Sequence, residues 1–318
     1  MLIKSTGLAH DSINQIINES PKAEFVIVDD DKKSIYGGVR GVNAIIGCPR
    51  HIMTAELLEL AGESLDWVHN MGAGIDTYLF KEFVQSKIVL TNGKIIQGPE
   101  VADHAMALLL TLTRNLHFYI NVSEPANEKK YRPIELRKKT ALVIGGGGGI
   151  GMLIAERASA FGMRVYSVED DMMNMVSFIE KQYTADQLLE VLPKADVVFM
   201  AAPLTSKTQK VINKKAISLM KDDSFLVNVC RGETIDTDAL TDALKTGKFR
   251  GVGLDVTDPE PLPNAHPLHS IRPVILTPHV AGPSDWNRLR SFEIAKANVR
   301  RYISSNSMLN EVDKSREY

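Results

Sequence analysis

Three residues in the C-terminal half of the chain carry groups suited to chemistry. Val227-Asn228-Val229-Cys230 runs into Arg231-Gly232, Gly253-Leu254-Asp255-Val256 runs into Asp258-Pro259-Glu260-Pro261, and Val274-Ile275-Leu276-Thr277-Pro278 runs into His279. Each apolar run reads as a buried strand. Arg231, Glu260 and His279 therefore stand just past the C-terminal ends of consecutive strands, where open α/β sheets build their sites. Singly, each also has a structural reading: an Arg capping a turn, a Glu on a proline-rich loop, a His held by a backbone carbonyl. Together they suit one reaction. Hydride transfer to a ketone needs a proton donor for the carbonyl oxygen and a cation for the charge developing on it. His279 can donate that proton near neutral pH, and Arg231 can hold a carboxylate while polarising the carbonyl. Glu260, hydrogen-bonded to His279, would fix the imidazole tautomer.

Stepping upstream, a carrier for the hydride is implied by Ala141-Leu142-Val143-Ile144, the five glycines 145–149, and Ile150-Gly151. Gly146-x-Gly148-x-x-Gly151 fits the dinucleotide fingerprint between a strand and the helix-compatible run 152–158. The helix start offers the N–H groups of Gly149, Ile150 and Gly151 to a pyrophosphate. A five-glycine run meets this spacing easily, so a flexible loop is the alternative. Glu169 lies 18 residues past Gly151, at the end of the next strand, where an acidic residue bonds the adenosine ribose. Asp170 and Asp171 follow with no Arg or Lys just after the strand, which favours NAD(H) over NADP(H). A solvated acidic turn is the competing reading of these three residues.

The first third of the chain supplies Met71-Gly72-Ala73-Gly74-Ile75-Asp76 after a strand at 67–69. Small residues ahead of a helix can leave the Ala73 and Gly74 N–H groups for a substrate carboxylate, or make only a tight turn. Strands are expected at 2–4, 24–28, 43–46, 67–69 and 87–90, with helices at 11–19, 54–61 and 76–85. From residue 99 to about 123 one long helix is expected, suited to an interdomain hinge and a subunit contact, then a connector at 124–139. Strands recur at 164–168, 196–201, 224–229, 251–255 and 273–277, with helices near 185–192, 213–220 and 236–246, and a terminal helix at 285–301. The expected architecture is α/β with two doubly wound parallel-sheet domains. One is discontinuous, residues 1–97 plus 285–318; the other, 98–284, binds the nucleotide.

The 318 residues suffice for two cores, and a net charge of -2 gives no reason to expect nucleic acid or an acidic membrane as partner. No signal peptide or spanning segment is read at the N-terminus or elsewhere. Cys48 and Cys230 are the only cysteines and show no metal-ligand spacing, so no metal is expected and a reduced, cytoplasmic compartment is the simplest inference.

The chain resembles the D-isomer-specific 2-hydroxyacid dehydrogenases, which include glyoxylate/hydroxypyruvate reductases, D-lactate dehydrogenases and phosphoglycerate dehydrogenases. The resemblance rests on GAGID at 72–76, EVADHAMALLLTLTRN at 100–115, the glycine fingerprint, PLTSKT at 203–208, VNVCRGETIDTDAL at 227–240, GLDVTDPEPLP at 253–263 and LTPHVAG at 276–282. It implies reversible NADH-dependent reduction of a small 2-keto acid to the D-2-hydroxy acid. Arg231 would bind and polarise the substrate, His279 would be the acid/base and Glu260 its partner. Ala73 and Gly74 would hold the substrate carboxylate. Asp255 would sit near the nicotinamide carboxamide, Cys230 would line that pocket, and Pro203, Leu204 and Thr208 would lie along the adenosine side. A Rossmann cofactor domain, a flavodoxin-like substrate domain closing over a cleft, and a homodimer built on the cofactor domain are further implications.

The chain departs from the family pattern in three places. Both variable fingerprint positions are glycine, Glu169 stands where Asp is usual, and Val-Ala-Gly-Pro-Ser-Asp-Trp follows His279. Arg50, after the third strand, either meets a polar substituent or is solvated; Trp286 either walls the pocket or is an ordinary core Trp. Two rival activities share the fold: an NAD-sensing, corepressor-like binding protein, and a dehydrogenase of another hydride donor such as phosphite.

Overall fold

The computed structural model describes residues 1–4, 10–120, 132–172 and 176–317. Part of the expected connector lies outside these. The chain divides into two compact units, Met1–Gln97 with Ser284–Tyr318, and Gly98–Pro283.

The first unit is a five-stranded parallel sheet of β1 (Leu2–Lys4), β2 (Val26–Val28), β3 (Ala44–Ile46), β4 (Trp67–Asn70) and β5 (Val89–Asn92), in the order β2-β1-β3-β4-β5. That is the flavodoxin-like order. Every residue of β3 and β4 is buried, so these strands read as continuous runs rather than alternating ones. The closing helix Asn287–Ile303 returns to this sheet and packs Phe292, Ala295 and Val299 against Ile3, Ile46 and Trp67. Trp286, just before it, is 59% exposed and is no core residue. One helix, Lys32–Gly38, escapes the sequence reading because Gly37-Gly38 count against helix. Asp31 caps it through Ser34 N–H, and Gly38 is needed where a Cβ would come within 2.9 Å of Val28. The helix expected at 76–85 is two pieces, a 3₁₀ turn Asp76–Tyr78 and a helix Lys81–Gln85.

A buried triad fixes β4 to β5. Trp67 Nε1 donates to Thr91 Oγ1 at 2.9 Å, and His69 Nδ1 lies 2.7 Å from the same oxygen. His69 Nε2 is buried without a partner among the described residues. Burial holds the imidazole down at about 4, from 6.5. Because the folded value lies below the unfolded one, the stability this group contributes is present above pH 6.5 and is lost as pH falls towards 4. We expect this loss to be about 3 kcal/mol and to be missing in His69→Asn. Urea unfolding of both proteins at pH 7 and pH 4 checks it; identical pH dependence would clear His69 of the effect.

The second unit is a seven-stranded parallel sheet: β6 (Thr140–Ile144), β7 (Arg164–Glu169), β8 (Lys181–Thr184), β9 (Val197–Met200), β10 (Ser224–Asn228), β11 (Phe249–Leu254) and β12 (Val274–Leu276). The order is β12-β11-β10-β9-β6-β7-β8, a Rossmann arrangement with its switch point between β6 and β9. The polar edge strand β8 has no apolar run and was not expected from the sequence. The helix expected from 99 to about 123 stops sooner. It spans Gly98–Thr113 and breaks at Asn115, in the left-handed region at φ 58, before a single turn Leu116–Tyr119. Asn tolerates that conformation better than most residues. The region expected as one helix at 185–192 is a 3₁₀ turn, a short helix Leu188–Val191 and a second 3₁₀ turn containing Pro193. Gly98–Thr113 lies close over β11, where a Cβ on Gly253 would come within 3.0 Å of Leu108. Among the described residues no helix is long and apolar enough to cross a membrane, and no group of metal-ligating side chains forms.

Candidate active site

At the switch point, β6 leads into the glycine tract and the helix Gly149–Ala160. The helix starts at Gly148, whose carbonyl accepts from Met152 N at 2.8 Å. The tract is packed as a cradle for a nucleotide. A Cβ on Gly151 would lie 2.0 Å from Gly145 O, so this position admits no side chain and lets the helix close on the strand. At Gly148, by contrast, the nearest atom would be 3.4 Å away, which leaves backbone open to an approaching pyrophosphate. The N–H groups of Gly149, Ile150 and Gly151 are the unsatisfied donors of this helix start.

Glu169 ends β7 and accepts a hydrogen bond from Gly147 N–H, inside the tract. Burial raises its carboxyl to about 7; the Gly147 bond opposes this and Asp170 adds to it. The acidic turn has a counterion that the local sequence lacks. Lys207, from the loop after β9, stands 3.3 Å from Asp170 Oδ2. In the same loop Thr208 Oγ1 donates to Pro203 O at 2.6 Å and receives Thr205 N–H at 2.8 Å, giving the segment a fixed shape.

Arg231, Glu260 and His279 follow the adjacent parallel strands β10, β11 and β12, so all three loops leave one edge of the sheet. The loops are laced together. Asp255 N donates to Asn228 O, Thr277 N to Leu254 O and His279 N to Asp255 O. A Cβ on Gly232 would lie 2.0 Å from the carbonyl carbon of Thr257, so glycine there lets the Arg231 loop meet the loop that carries Glu260. Asn228 Nδ2 and Thr234 Oγ1 both donate to Arg231 O, while Arg231 Nη1 donates to Cys230 O at 2.7 Å. The Cys230 side chain is buried, and burial pushes its thiol up.

His279 Nδ1 and Glu260 Oε1 are 2.6 Å apart, with both side chains about two-fifths exposed. Ion pairs this exposed contribute little to stability, so the pair matters for orienting the ring. With Nδ1–H bound to the carboxylate, Nε2 is the nitrogen left to exchange a proton. His279 has φ 53, a left-handed conformation that costs on the order of 1 kcal/mol outside glycine. Asp255 holds it there. Its carboxylate is 1% exposed and accepts from Val280 N and Ala281 N, each at 3.0 Å, and from Thr277 Oγ1 at 2.6 Å. His104 Nε2 adds an ion-pair distance of 3.3 Å to Asp255 and lies 2.9 Å from Thr277 Oγ1. Burial alone would raise the Asp255 carboxyl, but these four donors outweigh it and hold it at about 2. His104 and Thr277 were not assigned from sequence. The signal existed: Val101, His104, Ala105 and Leu108 share one helix face that is buried around them.

In the first unit, the loop after β4 has its carbonyls turned inward. Gly72 O accepts from Gly93 N, Ala73 O from Asn92 Nδ2 and Gly74 O from Asn70 Nδ2. Among the described residues the N–H groups of Ala73 and Gly74 have no acceptor. The loop is therefore a pair of donors fixed by its own acceptors.

Comparison with known proteins gives this geometry a family. Residues 106–281 match the family model described as D-isomer specific 2-hydroxyacid dehydrogenase, NAD binding domain. The chain is 34% identical over 279 residues to a glyoxylate reductase from Pyrococcus furiosus, covering 84% of this chain and 81% of that one. It is 27% identical over 285 residues to human glyoxylate reductase/hydroxypyruvate reductase, covering 88% and 87%. Among solved structures, D-lactate dehydrogenase from Aquifex aeolicus complexed with NAD and lactic acid aligns at TM-score 0.74 and 26% identity, covering 96% of both chains. The glycine cradle accommodates a dinucleotide, the family makes NAD(H) its cofactor, and the chain belongs to the D-isomer specific 2-hydroxyacid dehydrogenases.

Proposed function

We propose that the protein reduces a small 2-keto acid to the D-2-hydroxy acid with NADH, reversibly, and that His279 supplies the proton. The observation that carries this reading is His279 in a left-handed backbone conformation, held by Asp255 and hydrogen-bonded to Glu260 at 2.6 Å. NADH, when bound, supplies the hydride. His279 Nε2–H donates to the carbonyl oxygen as negative charge builds there, and Glu260 stabilises the orientation of the ring. Arg231 grips the substrate carboxylate and polarises the carbonyl, and the Ala73 and Gly74 N–H groups take the carboxylate as well. Asp255, tied to His104 and Thr277, positions His279. Gly146, Gly148, Gly149, Ile150, Gly151 and Glu169 hold the dinucleotide, with Pro203 and Thr208 along its adenosine side, and Cys230 next to the nicotinamide end. A homodimer assembled on the nucleotide-binding unit is part of this proposal, through the family resemblance. Chiral chromatography of the product tests it: the D isomer is expected, and the L isomer contradicts it.

The adenosine end gives a separate expectation. An ionised Glu169 accepts from the ribose hydroxyls, so NADH affinity should rise as pH goes from 6 to 8, through the carboxyl's value of about 7. The rise is expected to be up to about tenfold in Kd, and Glu169→Ala should flatten it while weakening NADH more than NADPH. Fluorescence titration reads both. Equal losses for the two cofactors would defeat the assignment.

A further inference from the structure

A cation stands against the carboxylate loop of the first unit. A Cβ added to Gly72 would lie 3.1 Å from Arg50 Nη2, so the guanidinium occupies the space that any larger residue at 72 would need. The segment carrying Arg50 is fixed on both sides of it. Gly47 N donates to His69 O on β4, Tyr78 Oη donates to Cys48 O at 3.2 Å, and Pro49 O accepts from Ile52 N and Met53 N. Arg50 is thereby partly buried beside the loop rather than extended into solvent. Among the described residues no carboxylate pairs with it.

A partly desolvated guanidinium without a counterion is costly unless a ligand anion answers it. In the reading above, the 2-keto acid's own carboxylate already has Arg231 and the Ala73 and Gly74 N–H groups. Arg50, from the loop after β3, is an additional cation beside the same loop. We propose that Arg50 is a specificity-determining residue that selects 2-keto acids bearing a second carboxylate, and that this second group forms a charge-assisted pair with its guanidinium. The inference rests on the assignment of the protein as a 2-keto acid reductase. It also accounts for Gly72, where a Cβ would crowd Arg50 Nη2 at 3.1 Å.

The test compares substrates of equal chain length with and without the second carboxylate: oxaloacetate against 2-oxobutyrate, and 2-oxoglutarate against 2-oxovalerate. Wild-type protein should favour at least one dicarboxylate over its monocarboxylate analogue by about tenfold in kcat/KM. In Arg50→Gln that ratio should collapse about tenfold, through KM, while Arg50→Lys should retain part of it. Circular dichroism and NADH titration establish that both variants are folded. A ratio unaltered in Arg50→Gln, or a wild type that prefers the monocarboxylate analogues, overturns the inference and leaves the 2-keto acid reading standing. Absence of turnover with every keto acid overturns both.

Discussion

Replacing His279 with Ala is expected to lower kcat by roughly 10²–10⁴-fold while NADH binding is retained. The imidazole sits past the end of β12 with Nδ1 bound to Glu260, which leaves Nε2 as the exchanging atom. Its backbone is held left-handed by bonds from His279 N to Asp255 O and from Val280 N and Ala281 N to the Asp255 carboxylate. Alanine leaves these backbone bonds in place and removes only the proposed proton donor, so the loss should appear in kcat rather than in folding. Steady-state kinetics with NADH fluorescence titration separates the two. Near-wild-type turnover would remove His279 from the mechanism.

Arg231→Lys should cost about 10²–10³-fold in kcat/KM, comparable to removing a donor aimed at developing charge. One guanidinium N–H of Arg231 donates to Cys230 O, which sets the plane of the fork, and its backbone carbonyl is fixed by Asn228 and Thr234. Lysine keeps the charge but cannot bond Cys230 O and still offer paired donors to a carboxylate. Kinetics on a keto acid under saturating NADH decides the matter; unchanged KM and kcat would sink the proposed clamp.

Much of this site was legible from sequence because α/β sheets put chemistry at strand ends. The apolar runs of β10, β11 and β12 mark their own C-termini, and Arg231, Glu260 and His279 follow them directly. The residues behind the site were harder to read. The Asp255 carboxylate is buried and accepts from four donors, two of them backbone amides that no sequence pattern reveals. Lys207 reaches Asp170 from 37 positions away, a long-range pairing that a local count of charges after β7 omits. Two elements of the fold are hidden for similar reasons. Strand β8 was missed because an edge strand needs little apolar character, and the helix Gly98–Thr113 was overrun because Asn115 is compatible with both continuing a helix and ending one.

The most direct test is NADH consumption, followed by the absorbance of the reduced nicotinamide, with glyoxylate, hydroxypyruvate, pyruvate and bulkier keto acids. The wild type is expected to turn over at least one of them, and His279→Ala to lose that turnover. Tight NADH binding with no turnover across the panel would contradict it and would leave a nucleotide-sensing protein in its place.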